Sequence, residues 1–484
     1  MLNLPGKTLA GPLGLVILLG LALNLSGAWL LPLIDRDEPR FAEASREMRQ
    51  DHDYVVPSFN GAPRYDKPPI IYWAQVLAFR WLGETPLAAR LPSAVFATAT
   101  ALLVFFWTRR LAPARTALAA AVMLLTSVQM AIHGRLAVAD LAMVFFFTAA
   151  CWSGWELTRP AAAHRGKWWL FFYVSLALGF LAKGPVAWLP LAGLLLGRWR
   201  RPHQFILPPW GVAGGMLLNL ALVGLWGIPA LLRTHGEFMR VGLGEHVLYR
   251  SFGVMDGHGA SGLAGWILLS PLFLVTFFFS FFPWALHVPR GLHRWWPNRQ
   301  SDTIGWYLLI QAAVVFVIFS VVRTKLPHYT LPALPCLAIW LARLAGDGVL
   351  PRLKVARTAS LMAALITGTA LTLGLTLPPL FINHELFEKA RPQLQPGMRL
   401  ANVQYTEPGV VWEFRQVITN HMENLEAEAG IQFIQQPHPA VLVMPTAFFE
   451  TNRARWPDNL IMVQAQGYNW SKRSRLDLTA LIHP

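Results

Sequence analysis

Two carboxylates stand where apolar segments end or begin: Asp37, beside Glu38 and a few residues past the first apolar run, and Asp140, which opens a later run just after His133 and Arg135. An unpaired carboxylate forced into hydrocarbon costs on the order of 3 kcal/mol, so both must sit in water or in a polar cavity. Two such acids converging from separate helices could orient a nucleophile, act as a general base or hold a cation. They could equally be interfacial ion pairs, Asp37 with Arg36 or Arg40 and Asp140 with Arg135.

A second group is basic. Arg64 and Lys67 in APRYDKPP, with Lys183, Arg250, Arg323 and Lys325, fall on the non-cytoplasmic side by the charge pattern described below, against the usual trend for positive charge. A lipid phosphate held at the outer interface supplies a reason, because a cationic pocket stabilises both the bound phosphate and the charge that grows on it as it leaves. For any single residue, snorkelling of a long side chain to the headgroups is the simpler account. Asp66 and the pair Glu245-His246 offer oxygen and imidazole ligands, with His258 and His328 as further candidates, in a spacing unlike any recognised zinc motif.

The elements that position these residues are membrane helices. Of 484 residues, 54% are hydrophobic and only 14% charged, and the apolar runs are too long to hide in one soluble core. Runs of roughly 17 to 24 residues fall near 9–31, 88–107, 114–132, 138–157, 167–182, 211–232, 263–286, 304–322, 329–344 and 357–377, with a shorter one at 185–198, making about eleven spans. The first run follows a single lysine, Lys7, and lacks a small-residue cleavage site, so it reads as a retained helix. The formal charge of +15 sits mostly in short clusters between spans, which excludes nucleic acid as the natural partner. Those clusters, around Arg109–Arg115, Arg159–Lys167, Arg198–Arg201, Arg290–Arg299 and Arg343–Arg357, occupy alternate loops. They place the N-terminus in the cytoplasm of a bacterium-like inner membrane, with loops 32–87, 233–262 and 323–328 and the tail from Pro378 outside.

The long outer loop 32–87 reads as two short helices separated by a Pro/Gly-rich turn, the kind of loop that carries function. In the first, Phe41, Ala42, Ala44 and Met48 make an apolar stripe while Glu38, Arg46, Glu47 and Arg49 face water, as in a helix lying in the membrane interface. Pro69–Leu82 does the same with Tyr72, Trp73, Phe79 and Trp81. After Pro378 the composition turns polar, with strand-like runs at Arg399–Tyr405, Ala440–Met444 and Leu460–Ala465 and helical patterns at Gly409–Glu428 and Thr446–Trp456. The chain therefore divides into a transmembrane catalytic domain, 1–378, and a small periplasmic α/β domain, 379–484. Cys151 and Cys336 lie inside apolar segments and make no disulfide framework. No internal repeat is visible, which disfavours a secondary transporter built from paired halves.

The strings DEPRFAEASREM and DYVVPSFNGAPRYDKPPIIYW resemble the first external loop of the aminoarabinose transferases that modify lipid A. The resemblance continues through HGRLAVADLAM at Asp140, LAKGPVA at Lys183, Glu245-His246 and KLPHYTLPALPCLA from Lys325. It implies the GT-C class of membrane glycosyltransferases, which are similar to protein O-mannosyltransferases and use polyprenyl-phosphate sugars outside the cytoplasm. By that resemblance Asp37 is the principal catalytic carboxylate and Asp140 a second essential acid. Lys67, Arg250 and Tyr329, with Arg64 and Lys183, surround the carrier phosphate, and Asp66 and His246 bind a divalent ion, zinc for preference. The implied reaction moves a sugar from the carrier to a lipid A or lipopolysaccharide-type acceptor with inversion. Transfer to Ser/Thr or another envelope glycan is the alternative within the class. Outside it, a lipid-linked sugar flippase or a non-catalytic envelope assembly protein stays open.

Overall fold

The computed structural model describes residues 10–159, 164–200, 209–249, 262–269, 271–345 and 351–484. Backbone contacts divide the chain into two compact units, each assembled from separated stretches of sequence. The first comprises Met1–Ser26, Tyr65–Ile71 and Pro92–Gly368, and the second Gly27–Arg64, Tyr72–Leu91 and Thr369–Pro484.

The first unit is helical. Five helices are long and apolar enough to cross a bilayer among the described residues: Pro86–Leu111, Asp140–Thr158, Trp210–Arg233, Thr303–Val321 and Leu353–Thr376, the outer two running on into the second unit. Each lies within a few residues of an expected span. Of the other expected spans, the one near 167–182 is a single helix, Arg165–Lys183, and the rest are shorter or broken. The run near 114–132 breaks into Ala114–Leu125 and Val128–His133, where the Val128 amide turns away to bond the Phe282 carbonyl. The run near 329–344 begins as a 3-10 segment, Pro327–Ala333, and becomes α-helical only from Leu334, because Pro327 and Pro332 withhold the amides an α-helix needs. Ile267–Ser280 and Trp284–Asn298 are bent by 106° and count as a sixth span if taken together.

The second unit contains a five-stranded mixed sheet. A two-residue hairpin precedes it in sequence, β1 (Ser58–Phe59) and β2 (Ala62–Pro63). The sheet then comprises β3 (Arg399–Val403), β4 (Met422–Leu425), β5 (Ala440–Pro445), β6 (Ile461–Asn469) and β7 (Ser474–His483), in the order β4-β3-β5-β7-β6. β3 pairs in parallel with β4 and β5, while β7 is antiparallel to β5 and β6. Period-two alternation buries both faces: Leu400, Val441 and Val443 pack with Ile382, Leu386, Phe387 and Phe414, and Ala401, Val403 and Leu442 pack with Phe433 and Ile434 on the opposite side. The long helix expected over Gly409–Glu428 is instead the helix Pro408–Phe414, strand β4 and the start of the helix Ala427–Gln435.

The helix Asp37–Gln50 departs most from expectation. Its polar face is buried, with Glu38, Glu43, Arg46 and Glu47 each at 2% exposure or less. Arg46 bonds Glu43 at 2.6 Å and lies 2.8 Å from Glu84, while Arg415 pairs with Glu43 and, at 2.5 Å, with Glu47. The guanidinium of Arg46 stacks on Trp412 at 3.9 Å. Counter-ions supplied from distant sequence make burial of these charges tolerable. Glu47 also accepts the amides of Asn60 and Gly61 at 2.6 and 3.1 Å, fixing a hairpin turn in which both residues have positive φ. In the helix Ile70–Leu82 the expected stripe splits: Tyr72 and Phe79 are buried, whereas Trp73, Leu77 and Trp81 are exposed on one face.

Candidate active site

Asp140 is the first residue of the helix Asp140–Thr158, and Lys183 the last of Arg165–Lys183. An acid at a helix N-terminus and a cation at a C-terminus both complement the peptide dipoles. Gly184, with φ +81° and ψ −158°, then turns the chain sharply into Pro185, a conformation that favours glycine and leaves the lysine at the helix end. The two side chains meet at 2.5 Å, with Asp140 only 6% exposed. His328 lies 3.9 Å from the same carboxylate oxygen, and the rings of His133 and His328 are 5.0 Å apart. Gln129 holds the Nδ1 of His133 at 3.1 Å and accepts from Ser280 at 3.3 Å, so the imidazole is oriented from behind. Positive charge from both Lys183 and Lys67 reaches His328. Arg135, the ion-pair partner that sequence proximity offers, instead donates to the Ala131 carbonyl and the Ser26 hydroxyl, each at 3.0 Å. The bland alternative for Asp140 is therefore not what forms.

The other expected residues of the first unit fall as follows. Lys67 pairs with Asp66 at 2.5 Å. Tyr329 stacks between Phe273 and Phe319, with centroids 6.4 and 4.7 Å away, and meets His328 edge-on at 5.2 Å. Lys325 donates to the carbonyls of Phe319 and Ser320 at 2.9 and 2.5 Å. Arg250, His258 and the side chain of His246 lie outside the described residues.

His133, Asp140 and His328 present ligand atoms within 4.8 Å of one another, a set of two imidazoles and a carboxylate that suits a divalent ion by type. The carboxylate oxygen already holds the Lys183 ammonium, and a dication there would meet that charge head-on. Asp66 is likewise engaged by Lys67. An ion at either place would have to displace an ammonium, and no chemical step below passes through one.

In the second unit, Asp37 opens the helix Asp37–Gln50, is exposed, and makes no hydrogen bond or ion pair among the described residues. Its neighbour does the structural work. Glu38 accepts two bonds from Arg90 at 2.9 and 2.7 Å and one from the Ile34 amide at 2.8 Å. Arg90 spends its remaining donors on the carbonyls of Ala28, Leu31 and Pro32. Sequence reading passed over Arg90, although an arginine inside an apolar run is itself a signal. Arg64 of the same unit donates to the Tyr72 hydroxyl at 3.1 Å and sits over the Phe41 ring at 5.1 Å.

Comparison with known proteins adds an independent line. Residues 66–226 match the family described as dolichyl-phosphate-mannose-protein mannosyltransferase. An undecaprenyl phosphate-alpha-4-amino-4-deoxy-L-arabinose arabinosyl transferase of Edwardsiella ictaluri is 31% identical over 74% of this chain and 66% of its own length. A second protein of that name, from Sodalis glossinidius, is 29% identical over 76% and 68%. The chain thus spans about two thirds of the length of these relatives. In fold it is similar to ArnT from Cupriavidus metallidurans, crystallised with undecaprenyl phosphate, with a TM-score of 0.79 at 19% identity over 98% of each chain.

Proposed function

Because the chain belongs to the family of aminoarabinose transferase-like GT-C membrane glycosyltransferases, we propose that it transfers a sugar from a polyprenyl-phosphate carrier to a lipid A-type glycolipid on the periplasmic face of the inner membrane. The observation that carries this reading is the pairing of buried Asp140 with half-buried Lys183, both inside the segment that matches the family, flanked by His133 and, from beyond that segment, by His328. It supports the reading because a lysine held by one carboxylate can exchange that partner for a phosphate oxygen, and Lys67, paired with Asp66 in the same unit, can do so too. The relatives' names and the ArnT ligand make undecaprenyl phosphate the carrier to test first.

The reaction is a single displacement at the anomeric carbon with inversion. The sugar–phosphate bond breaks, the acceptor oxygen bonds to the anomeric carbon from the opposite side, and the lysines, with Arg250, Arg64 and the Tyr329 hydroxyl, stabilise the departing phosphate. Where the acceptor is a hydroxyl, the exposed Asp37 takes its proton as general base. Where it is a lipid phosphate, the nucleophile is already anionic and Asp37 positions groups or stabilises cationic character on the sugar ring. The resemblance assigns zinc to Asp66 and His246. Transfer is derived without it, and metal analysis of the purified chain decides the matter: a stoichiometric ion lost in Asp66→Ala would establish the site, and its absence would remove it.

Mass spectrometry of envelope lipids and proteins from cells with and without the gene tests the whole reading. A pentose-sized or aminopentose-sized mass on a lipid A-type glycolipid is the expected result. The matched family description favours a second reading, in which a hexose-sized mass appears on proteins instead. No mass change in either fraction would end both.

A further inference from the structure

Two histidines stand beside Asp140 in the first unit and take no part in the displacement described above. His133 closes the short helix Val128–His133, and His328 lies in the 3-10 segment Pro327–Ala333. Together with Asp140, at the start of its own helix, they bring one ligand atom each from three separate elements to within 4.8 Å of one another. His133 is supported from behind. A metal on its Nε2 selects the tautomer with the proton on Nδ1, and the main-chain carbonyl of Gln129, 3.3 Å from Nδ1, is in place to accept that proton. The Gln129 side chain, 3.1 Å from the same nitrogen, backs the ring as well. A histidine whose far nitrogen is tied to a carbonyl is the common support of a metal ligand, because the bond fixes both tautomer and ring orientation.

His328 is the freer ligand. Its Nε2 lies 3.9 Å from Asp140 Oδ1, it makes no hydrogen bond among the described residues, and its side chain is 25% exposed, so the cluster is reached from solvent at this corner. Around a zinc ion with bonds of about 2.0–2.2 Å, neighbouring ligands stand roughly 3–4 Å apart. A turn of the His328 ring, which no hydrogen bond anchors, supplies the contraction. The obstacle is charge. Asp140 Oδ1 holds the Lys183 ammonium at 2.5 Å, and the charge of Lys67 also reaches His328. Two cations repel too strongly at such range to share one carboxylate oxygen, so ammonium and metal exclude each other.

Two imidazoles and one carboxylate suit zinc and its first-row neighbours, and not magnesium, which takes oxygen ligands. We propose that His133, Asp140 and His328 form a zinc-type cation site that competes with Lys183 for Asp140. With the lysine on the carboxylate the site is closed; when the lysine turns to an anion, the metal replaces it as the counter-charge of Asp140. The site shares no residue with Asp66 and His246, to which the resemblance assigns an ion. Its link to an anion rests on the function proposed above, where Lys183 exchanges Asp140 for the carrier phosphate, whereas its ability to bind a metal does not.

The test uses the full chain in lipid nanodiscs, stripped with chelator and titrated with cobalt(II), read by its visible d–d bands, with zinc in competition. Cobalt affinity is expected to rise about tenfold or more in Lys183→Met, which removes the competing charge. It is expected to fall about tenfold or more in His133→Ala and His328→Ala, which remove ligands, while Asp66→Ala keeps the bands. Loss of the bands in Asp66→Ala alone would overturn the proposal in favour of the other ion site. No binding, or affinity equal in wild type, Lys183→Met and His328→Ala, would overturn it outright. His328 is partly exposed, so His328→Ala decides the question should Lys183→Met or His133→Ala fail to fold. Undecaprenyl phosphate added to the nanodiscs should tighten cobalt binding in the wild type and not in Lys183→Met. Binding that follows the histidine variants but ignores the carrier would spare the metal site and remove the lysine exchange from the proposed function. Sugar transfer by a chain that binds no cobalt would do the reverse.

Discussion

Asp140 and Lys183 are 43 residues apart in sequence and 2.5 Å apart in space, so the half-buried lysine supplies the counter-ion that the buried carboxylate needs. Replacing Asp140 by Asn keeps the shape and leaves the ammonium without its counter-ion. Transfer is expected to fall by about 10²–10⁴-fold, the range for losing a positioned acid or base, while binding of undecaprenyl phosphate persists. Lys67→Ala should do the opposite, weakening carrier binding first. Initial rates and a carrier-binding titration on the purified chain separate the two, and normal turnover in both variants would remove the site. Both residue types were legible in the sequence, but the pairing was not, because proximity along the chain pointed to Arg135 instead. Asp35 was passed over altogether, since a carboxylate two residues from Asp37 in a polar loop reads as solvated. Burial pushes its carboxyl up from 3.8 to about 7, with Glu407 and Glu413 adding to the shift. Asn383 and Gly409 oppose it, and His384 hydrogen-bonds to Glu413. A raised folded-state value means the folded chain binds this proton more tightly than the unfolded chain. The associated stability is fully present below about pH 4 and is lost as pH rises through about 7. Thermal unfolding measured from pH 5 to 8 should therefore show a decline that Asp35→Asn flattens, and identical profiles would show that Asp35 is ionised throughout.

The helix Asp37–Gln50 shows what hydrophobic periodicity can and cannot specify. Its apolar stripe is real, with Phe41, Ala42, Ala44 and Met48 all buried. The opposite face was expected in water because Arg415 and Glu84, which neutralise it, lie far away in sequence. Long uninterrupted apolar runs were readable to within a few residues, whereas runs carrying several prolines broke into pieces that hydropathy averages over. In the tail, β4 and β7 went unread because their short or mixed patterns acquire meaning only beside β3 and β5. The buried charge cluster carries a prediction of its own. Arg46→Met leaves Glu43 and Glu84 short of a cation in a closed interior, and breaking such a network typically costs about 3–5 kcal/mol. The variant should melt at lower temperature and lose protease resistance at the hairpin turn of Asn60 and Gly61, which Glu47 anchors. Arg46→Lys should recover only part of the loss, because a lysine offers neither the fork geometry nor the planar face that lies on Trp412. Unchanged melting of Arg46→Met would show that the network adds nothing to stability.

At the scale of the whole molecule, the second unit joins Gly27–Arg64 to Thr369–Pro484 across more than three hundred intervening residues, an assembly that no local pattern in the sequence could disclose. It also makes orientation testable from a convenient place. The helix bearing Asp37 and the C-terminal sheet belong to one compact body, so a label on the tail reports the side of the membrane on which Asp37 works. Both native cysteines, Cys151 and Cys336, are buried, which gives a quiet background for labelling. Cysteine placed at Asp458, exposed between the helix Thr446–Thr451 and β6, should react with a membrane-impermeant maleimide in cells whose outer envelope alone is opened. Cysteine at Asn298, exposed in the basic connection after Trp295, should react only once the inner membrane is breached. The charge distribution demands this order, because the arginine clusters resist translocation. The reverse order would put Asp37 in the cytoplasm, where the general base proposed for transfer could meet no acceptor on the outer leaflet.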